Sequence, residues 1–169
     1  GVADVDGFVY EDITKYPERQ LRLNRDMPWM MSTTQLDFCE EEQDIIVRCG
    51  VDWNVNGKME YSLDGSETWN NITNLPHYYD ASGKELDAVP FGRLAVSAQK
   101  HPDTGLPVYV AIPAYNPNTN KQLAQGTHTL PIVSFDLGKT YREVSGLPDG
   151  INVMDDYWDK YTPIASDRV

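Results

Sequence analysis

The feature that most constrains the fold of this chain is a short pattern that occurs twice. Residues 62–69 read S-L-D-G-S-E-T-W, and residues 134–141 read S-F-D-L-G-K-T-Y. Each copy lies between two apolar runs. Aspartate, serine and threonine side chains form hydrogen bonds within turns, and glycine permits positive φ. Because self-similarity at fixed spacing marks a repeated structural unit, the pattern predicts two equivalent hairpins, each followed by an aromatic residue that packs between sheets.

The repeated turn resembles the Asp-box of sialidase-like β-propellers, which is structural and takes no part in catalysis. The positions that match it are Ser62, Asp64, Thr68 and Trp69 in the first copy, and Ser134, Asp136, Gly138, Thr140 and Tyr141 in the second. The resemblance implies an all-β fold made of four-stranded antiparallel blades.

The apolar runs around the two boxes predict two such blades in the same order. The first blade spans 35–72, with strands predicted at 36–39, 45–49, 58–62 and 68–72. The second spans 93–145, with strands at 93–97, 108–112, 130–135 and 140–145. We predict that 1–34 holds the end of a preceding blade and an irregular loop over 14–34, and that 162–169 begins a following one. The ring is therefore expected to be incomplete within this chain, with its remaining blades supplied by the parent protein.

Charge and composition restrict the classes of molecule that we expect this protein to bind. The chain has 26 acidic and 14 basic residues and a formal charge of -12. This acidity argues against nucleic acid and anionic lipid as partners and suits a neutral substrate. No apolar run approaches the roughly 18 residues of a membrane span. These features are typical of a soluble protein, and we expect secretion.

The two cysteines, Cys39 and Cys49, fall on neighbouring predicted strands. The expected pairing sets them several residues apart along the ladder, too far for a disulfide, so we predict two buried free thiols. No histidine or cysteine cluster accompanies them, and we expect neither a metal nor a cofactor. The sequence also contains one N-x-T sequon, Asn71-Ile72-Thr73.

Meander topology sorts the connections into two groups. The turns at 40–44, 63–66, 100–105 and 136–138 are short and should share one end of the sheets. The connections at the other end are long and rich in aromatic residues and carboxylates, and include His77. Such loops commonly carry function, and aromatic faces beside carboxylates suit sugar rings. Our candidates for substrate binding are Trp53, Tyr115, Tyr157 and Trp158.

Six stretches, in order along the chain, resemble the xyloglucanase family of glycoside hydrolases. Residues 3–13, A-D-V-D-G-F-V-Y-E-D-I, resemble its G-D-I-G-G-F-x-H-D-D-L, and residues 33–40, T-T-Q-L-D-F-C-E, resemble its T-T-S-L-D-F-A-E. Residues 46–50, I-V-R-C-G, resemble V-V-R-V-G, and residues 60–65 resemble the A-Y-S-T-D-G of its Asp-box. The stretches at 145–148 and 166–169 also match, with insertions at 77–92 and 113–129.

This resemblance implies two tandem seven-bladed propellers with a substrate cleft between them. Members of the family are inverting endo-glucanases that act on β-1,4-glucan backbones, chiefly xyloglucan. By the motif match, Asp4 corresponds to one of two catalytic aspartates, the general acid. The other aspartate, the general base, belongs to the first propeller, which this chain does not include. Inverting hydrolysis places the two carboxyl groups about 6.5–9.5 Å apart. The chain alone should therefore not turn over substrate.

One departure and two alternatives accompany this reading. Asp6 stands where the family has glycine; its charge would raise the pKa of Asp4, and its side chain would alter the turn. On the residues alone, Asp4 also fits a turn-capping role. A non-catalytic Asp-box propeller that binds glycan or protein is the main alternative. A sialidase is disfavoured because its site needs three arginines, which are sparse in the long loops.

Overall fold

The computed structural model describes residues 7–21, 30–52, 57–77, 83–85, 91–113 and 131–145. Regular structure in these ranges is entirely β, with ten strands in three antiparallel sheets and no helix. The all-β prediction is confirmed for them. The predicted elements at the two ends of the chain, in 1–6 and 162–169, lie outside the described residues, as does the loop at 114–129. No described helix is long and apolar enough to cross a membrane.

The strands follow one another as meanders. The first sheet pairs β1 (Phe8–Val9) with β2 (Arg19–Gln20). The second, in spatial order, holds β3 (Ser32–Phe38), β4 (Ile46–Val51), β5 (Gly57–Ser62) and β6 (Asn70–Asn71). The third holds β7 (Phe91–Lys100), β8 (Pro107–Pro113), β9 (Ile132–Ser134) and β10 (Arg142–Glu143). Each four-stranded sheet thus pairs every strand with its sequence neighbour.

The core lies between the second and third sheets. Successive side chains of a strand point to opposite faces, so one face of each sheet supplies apolar groups to the other. The buried members are Cys39, Ile45, Val47, Cys49, Met59 and Ile72 from the second sheet and its turns, and Leu94, Val96, Tyr109, Ala111, Ile132 and Leu137 from the third. Sheet-on-sheet burial of this kind removes both apolar faces from water and is the main stabilising contribution to the pair.

A row of polar contacts joins the edge strands of the two sheets, β3 and β7. Acceptor side chains on β3 and the turn after it bind main-chain N–H groups of β7, each 59 residues further along the chain. Gln35 Oε1 accepts from Leu94 N at 3.1 Å, Asp37 Oδ2 from Val96 N at 2.8 Å, and Glu41 Oε2 from Lys100 N at 2.8 Å. These bonds satisfy the free edge of β7, which would otherwise present unpaired donors. Because the offset in sequence is the same for all three bonds, β3 and β7 run parallel and in register.

The tight turns of both sheets gather at one end. Gly65 N donates to Asp44 O at 3.1 Å, which joins the turn after β3 to the first box. Lys100 Nζ lies 2.6 Å from Glu42 Oε2, and the His101 ring meets the ring of Phe135 in the second box at 5.2 Å. We call this the box end. The chain leaves β4, β6 and β8 at the opposite end, as the meander predicted.

Two predictions about the strands were wrong in detail. The stretch 14–34 is not wholly irregular, because Arg19–Gln20 forms β2 and β3 begins at Ser32. Bonds from Glu18 N to Val9 O and from Leu21 N to Gly7 O, at 3.0 and 2.9 Å, close the first hairpin. The last strand of each four-stranded sheet is shorter than predicted. The N–H groups of Thr68 and Thr140 bind the box carboxylates at 2.8 and 2.9 Å instead of joining the ladder.

Both cysteines are free and buried, as predicted. Cys49 pairs across the ladder with Gln35, whereas Cys39 lies four residues beyond it, where its main-chain N–H binds Ile45 O at 3.0 Å. Burial raises the pKa of the Cys49 thiol to about 12. A neutral thiol in the core is a poor nucleophile, so Cys49 acts here as a packing residue.

Candidate functional site

The residues predicted to contact substrate lie outside the described part of the chain. They are Asp4, Trp53, Tyr115, Tyr157 and Trp158. Their roles therefore stay predictions. The structure does describe both boxes and the strands that lead into the long connections. These strands support any site formed by the connections at the end opposite the boxes.

The first box is a closed network of hydrogen bonds around Asp64. Its carboxylate accepts from Thr68 N at 2.8 Å and Thr68 Oγ1 at 2.6 Å, and Ser62 Oγ donates to it at 2.8 Å. The Ser62 hydroxyl in turn accepts from Ser66 N at 2.8 Å. Gly65 and Ser66 both have positive φ, 63° and 75°. The aspartate thus satisfies the donors that the tight turn leaves without ladder partners.

The second box repeats this network. Asp136 accepts from Thr140 N at 2.9 Å and Thr140 Oγ1 at 2.7 Å, and Ser134 Oγ accepts from Gly138 N at 2.8 Å. Positive φ again falls on two successive residues, Leu137 at 55° and Gly138 at 85°. Glycine occupies the first of these positions in one box and the second in the other. The backbone conformation is therefore shared, while the glycine is not.

The box carboxyls should make stability depend on pH. Burial raises the pKa of Asp64 and Asp136, but hydrogen bonds, chiefly from Thr68 and Thr140, bring both pKa values below the ordinary value. A carboxyl whose pKa is depressed by folding stabilises the protein above its unfolded pKa, about 3.9, and loses that contribution as pH falls through the folded pKa. We expect Thr68→Val and Thr140→Val each to raise the pKa of their aspartate, measured by carboxyl carbon NMR. Thr104→Val is the control, since among the described residues the Thr104 hydroxyl bonds only to main-chain atoms of Leu106. It should leave both pKa values unchanged; equal pKa values in all variants would contradict the assignment.

Each box is clamped by the sheet that precedes it. On the first box, Arg19 donates to Ser66 O and Gly65 O at 3.0 and 3.2 Å, and Trp69 Nε1 donates to Leu21 O at 3.2 Å. On the second box, Asn74 Nδ2 donates to Lys139 O at 2.6 Å. Sequence reasoning did not identify Arg19 as a box contact, because nothing local to residues 14–34 marks it.

The aromatic residue after each box is buried or half-buried. Trp69 is 4 % exposed and lies under the Arg48 guanidinium, whose Cζ is 3.9 Å from the ring centroid. Tyr141 shares a hydrogen bond of 2.8 Å with Tyr109. Burial, with the charge of Asp136, raises the pKa of Tyr141 to about 12. Burial also raises the pKa of Tyr109, so both phenols are neutral at physiological pH and either can donate the shared hydrogen bond.

The second box leaves no room for a side chain at Gly138. A Cβ there would clash with Ile72 Cγ2 and lie 2.7 Å from the Tyr141 hydroxyl. Gly105, also at positive φ, has no described residue beyond its chain neighbours within 4 Å of the equivalent position and is a matched control for backbone strain. We expect Gly138→Ala to lower the free energy of unfolding by about 1–3 kcal/mol more than Gly105→Ala, the usual cost of overpacking. Urea denaturation measures both, and equal losses would show that packing at the box is unimportant.

The substrate site that the sequence predicts is expected at the end of the sheets opposite the boxes. On the connection from β6 to β7, the exposed imidazole of His77 pairs through Nδ1 with the Glu85 carboxylate. Only His77 was named from the sequence; Glu85 was missed because eight residues separate the two. Among the described residues, no group of three or more histidine, cysteine or acidic side chains could hold a metal ion.

The direction of β1 also bears on this end. Val9 pairs with Arg19, which reaches the first box, so the 10–18 turn lies on the box side. Leu21, whose N–H binds Gly7 O, instead accepts from Trp69 Nε1, which follows the box turn. The Gly7 end of β1 therefore lies further from the box turn than the Val9 end. Gly7 is buried with φ 150°, and a Cβ there would lie 2.7 Å from Leu21 Cδ1. The positive φ favours glycine before Phe8, and a side chain there would also displace the end of the Leu21 side chain.

Compared with models of known protein families, the chain matches none, and no curated protein matches it either.

Proposed function

We propose that the second and third sheets are consecutive blades of an Asp-box β-propeller, with the remaining blades supplied by the parent protein. Three described features support this. The strand order is the same in both sheets, and the edge strands β3 and β7 run parallel at a fixed separation of 59 residues. Each box is also bound from the preceding part of the chain, the first by Arg19 of β2 and the second by Asn74, just after β6. Such nearest-neighbour contacts are what propeller blades repeat around a ring.

We further propose that this propeller belongs to a secreted glycoside hydrolase that cleaves β-1,4-glucan backbones such as xyloglucan. The single observation that carries the proposal is the direction of β1: its Gly7 end, to which the segment 3–6 of the family-like stretch connects, lies further from the first box turn than its Val9 end. The long connections leave the sheets on that same side. A carboxylate in this segment and aromatic residues in those connections would then share one face.

The proposed chemistry is inverting hydrolysis. Asp4 serves as general acid and protonates the glycosidic oxygen as the bond to the sugar breaks. A second carboxylate, from the parent protein, activates the attacking water on the other face of the ring. Trp53, Tyr115, Tyr157 and Trp158 serve as stacking platforms for sugar rings. The polysaccharide itself is the partner, and no metal or cofactor takes part.

The test is hydrolysis followed by NMR. Xyloglucan and undecorated β-1,4-glucan are incubated with the 169-residue chain and with the longer two-propeller protein that the proposal implies. We expect the chain alone to be inactive and the longer protein to release a product whose new reducing end is first α. A first product with a β reducing end would overturn the inverting mechanism, and no hydrolysis of any β-1,4-glucan would overturn the activity.

A non-catalytic propeller that binds glycan is the second candidate, favoured by one observation. Asp6 stands directly before Gly7, where the family motif has a glycine. An added side chain at this point could block the productive position of a sugar without preventing binding elsewhere on the face. Retention of the longer protein on immobilised xyloglucan without turnover would favour this candidate.

A further inference from the structure

The single N-x-T sequon, Asn71-Ile72-Thr73, coincides with the outermost strand of the second sheet. Asn71 ends β6, which pairs with β5 on one side only and is the edge of the described sheet. Asn71 and Thr73 are exposed, whereas Ile72 between them is 5 % exposed and belongs to the core. We propose that Asn71 carries an N-linked glycan when the protein passes through a glycosylating secretory compartment.

The local structure fits a glycan at this residue. Strand alternation sends Ile72 inward against the third sheet, so Asn71 and Thr73 point to the other side, toward solvent. The backbone of Asn71 is held by its pairing with Glu60, and Ile72 N donates to Met59 O at 2.9 Å. The side-chain amide of Asn71 makes no hydrogen bond within the described residues. A sugar there would therefore displace no packing and break no bond of the folded sheet.

The chemical step is a transfer of an oligosaccharide from a lipid-linked pyrophosphate donor. The amide Nδ2 of Asn71 loses a proton and forms a bond to the anomeric carbon of the first sugar, while the lipid pyrophosphate leaves with the electron pair of the broken bond. Thr73 supplies the hydroxyl by which the transferase recognises the sequon. Neither residue is needed for the core, so both are open to substitution.

A glycan at Asn71 would also cover a sheet edge. Unpaired edge strands are templates for pairing with other chains, and folded proteins commonly protect them. The edge strand β6 is short and polar in sequence, and a bulky sugar would block approach to it. The inference is independent of the β-glucan activity, since it needs only export through a glycosylating compartment.

The experiment expresses the chain behind a cleavable secretion leader in eukaryotic cells and measures intact mass with and without an N-glycosidase. We expect a mass increment that the enzyme removes, leaving aspartate at position 71 in the peptide map. Asn71→Gln and Thr73→Ala should lose the whole increment. Thr73→Ser, which keeps the sequon, and Asn70→Gln, a change in the neighbouring exposed residue, should retain it.

Two outcomes would overturn the proposal. One is secreted wild-type protein without an increment that the glycosidase removes. The other is an increment that persists in Asn71→Gln, which would place the sugar elsewhere. Because Thr73→Ala leaves Asn71 untouched, its loss of glycan together with retention in Thr73→Ser cannot be ascribed to misfolding around residue 71.

Discussion

Replacing Asp4 by asparagine in the proposed two-propeller enzyme should lower kcat on xyloglucan by about 10²–10⁴-fold, the usual contribution of a positioned general acid. Asparagine has nearly the same shape and still forms hydrogen bonds, but it cannot transfer a proton to the departing glycosidic oxygen. Substrate binding should change little, so KM should stay within a small factor of the wild-type value. Initial rates on xyloglucan measure both constants.

A second substrate distinguishes acid catalysis from a structural role. An aryl β-glucan oligosaccharide with a strongly acidic phenol as leaving group needs little protonation, so the Asp4→Asn variant should lose far less activity on it. Equal losses on both substrates would point to a damaged site and contradict the assignment of Asp4 as the acid.

The control for this experiment is Asp12→Asn in the same hairpin. The Asp12 carboxylate is partly exposed on the turn toward the box end, where it contacts Thr14 at 2.6 Å and Lys15 at 3.2 Å. We expect wild-type turnover from this variant. A comparable loss of turnover in Asp12→Asn would mean that removing either carboxylate lowers activity. The result for Asp4 would then not identify it as the general acid.

The parts of the fold that could be predicted are those with a local cause. The boxes were predictable because their bonds join residues two and four apart, such as Ser62 to Asp64 and Asp64 to Thr68. The strands around Val47 and Val96 were predictable because β-branched residues favour the pleated, half-buried surface on which they pack. The buried free cysteines followed from strand register alone.

What could not be predicted depends on contacts between distant residues. The acceptors Gln35 and Asp37 satisfy an edge strand 59 residues away, and a polar residue in a strand is ordinarily read as facing water. The short strand at Arg19–Gln20 is stabilised by its pairing with β1 and by the hydrogen bonds from Arg19 to the first box. At the proposed catalytic face, roles were assigned from residue types and from the family motif. The described strands show only at which end of the sheets the long connections begin.

The most consequential residue that sequence reasoning left without a role is Arg48, a charged residue within a strand of apolar neighbours. It lies opposite Glu60 in the ladder of β4 and β5, and both side chains are fully buried. Arg48 Nε and Nη2 donate to Glu60 Oε2 at 2.8 and 2.5 Å. The guanidinium also covers the ring of Trp69 after the first box. The pair faces away from the core shared with the third sheet.

Removing one member of this pair should have the largest effect on stability of any substitution considered. Glu60→Leu would remove the Glu60 carboxylate from the fully buried Arg48 guanidinium, and breaking a buried ion pair from one side costs about 3–5 kcal/mol. We expect a loss of that size in the free energy of unfolding measured by urea denaturation. For comparison, Glu42→Gln breaks the half-exposed contact with Lys100 and should cost far less, because solvent screens an ion pair at the surface.

The double variant Arg48→Met/Glu60→Leu separates lost pairing from lost packing. Because neither replacement is charged and both fill apolar space beside Trp69, the double variant should be more stable than Glu60→Leu alone, as buried pairs replaced by apolar residues often are. The pairwise term from the double-mutant cycle should then be large and favour the pair. If the double variant were as unstable as the sum of its single variants, the two residues would be acting independently, and the buried charge would not be what makes the single substitution costly.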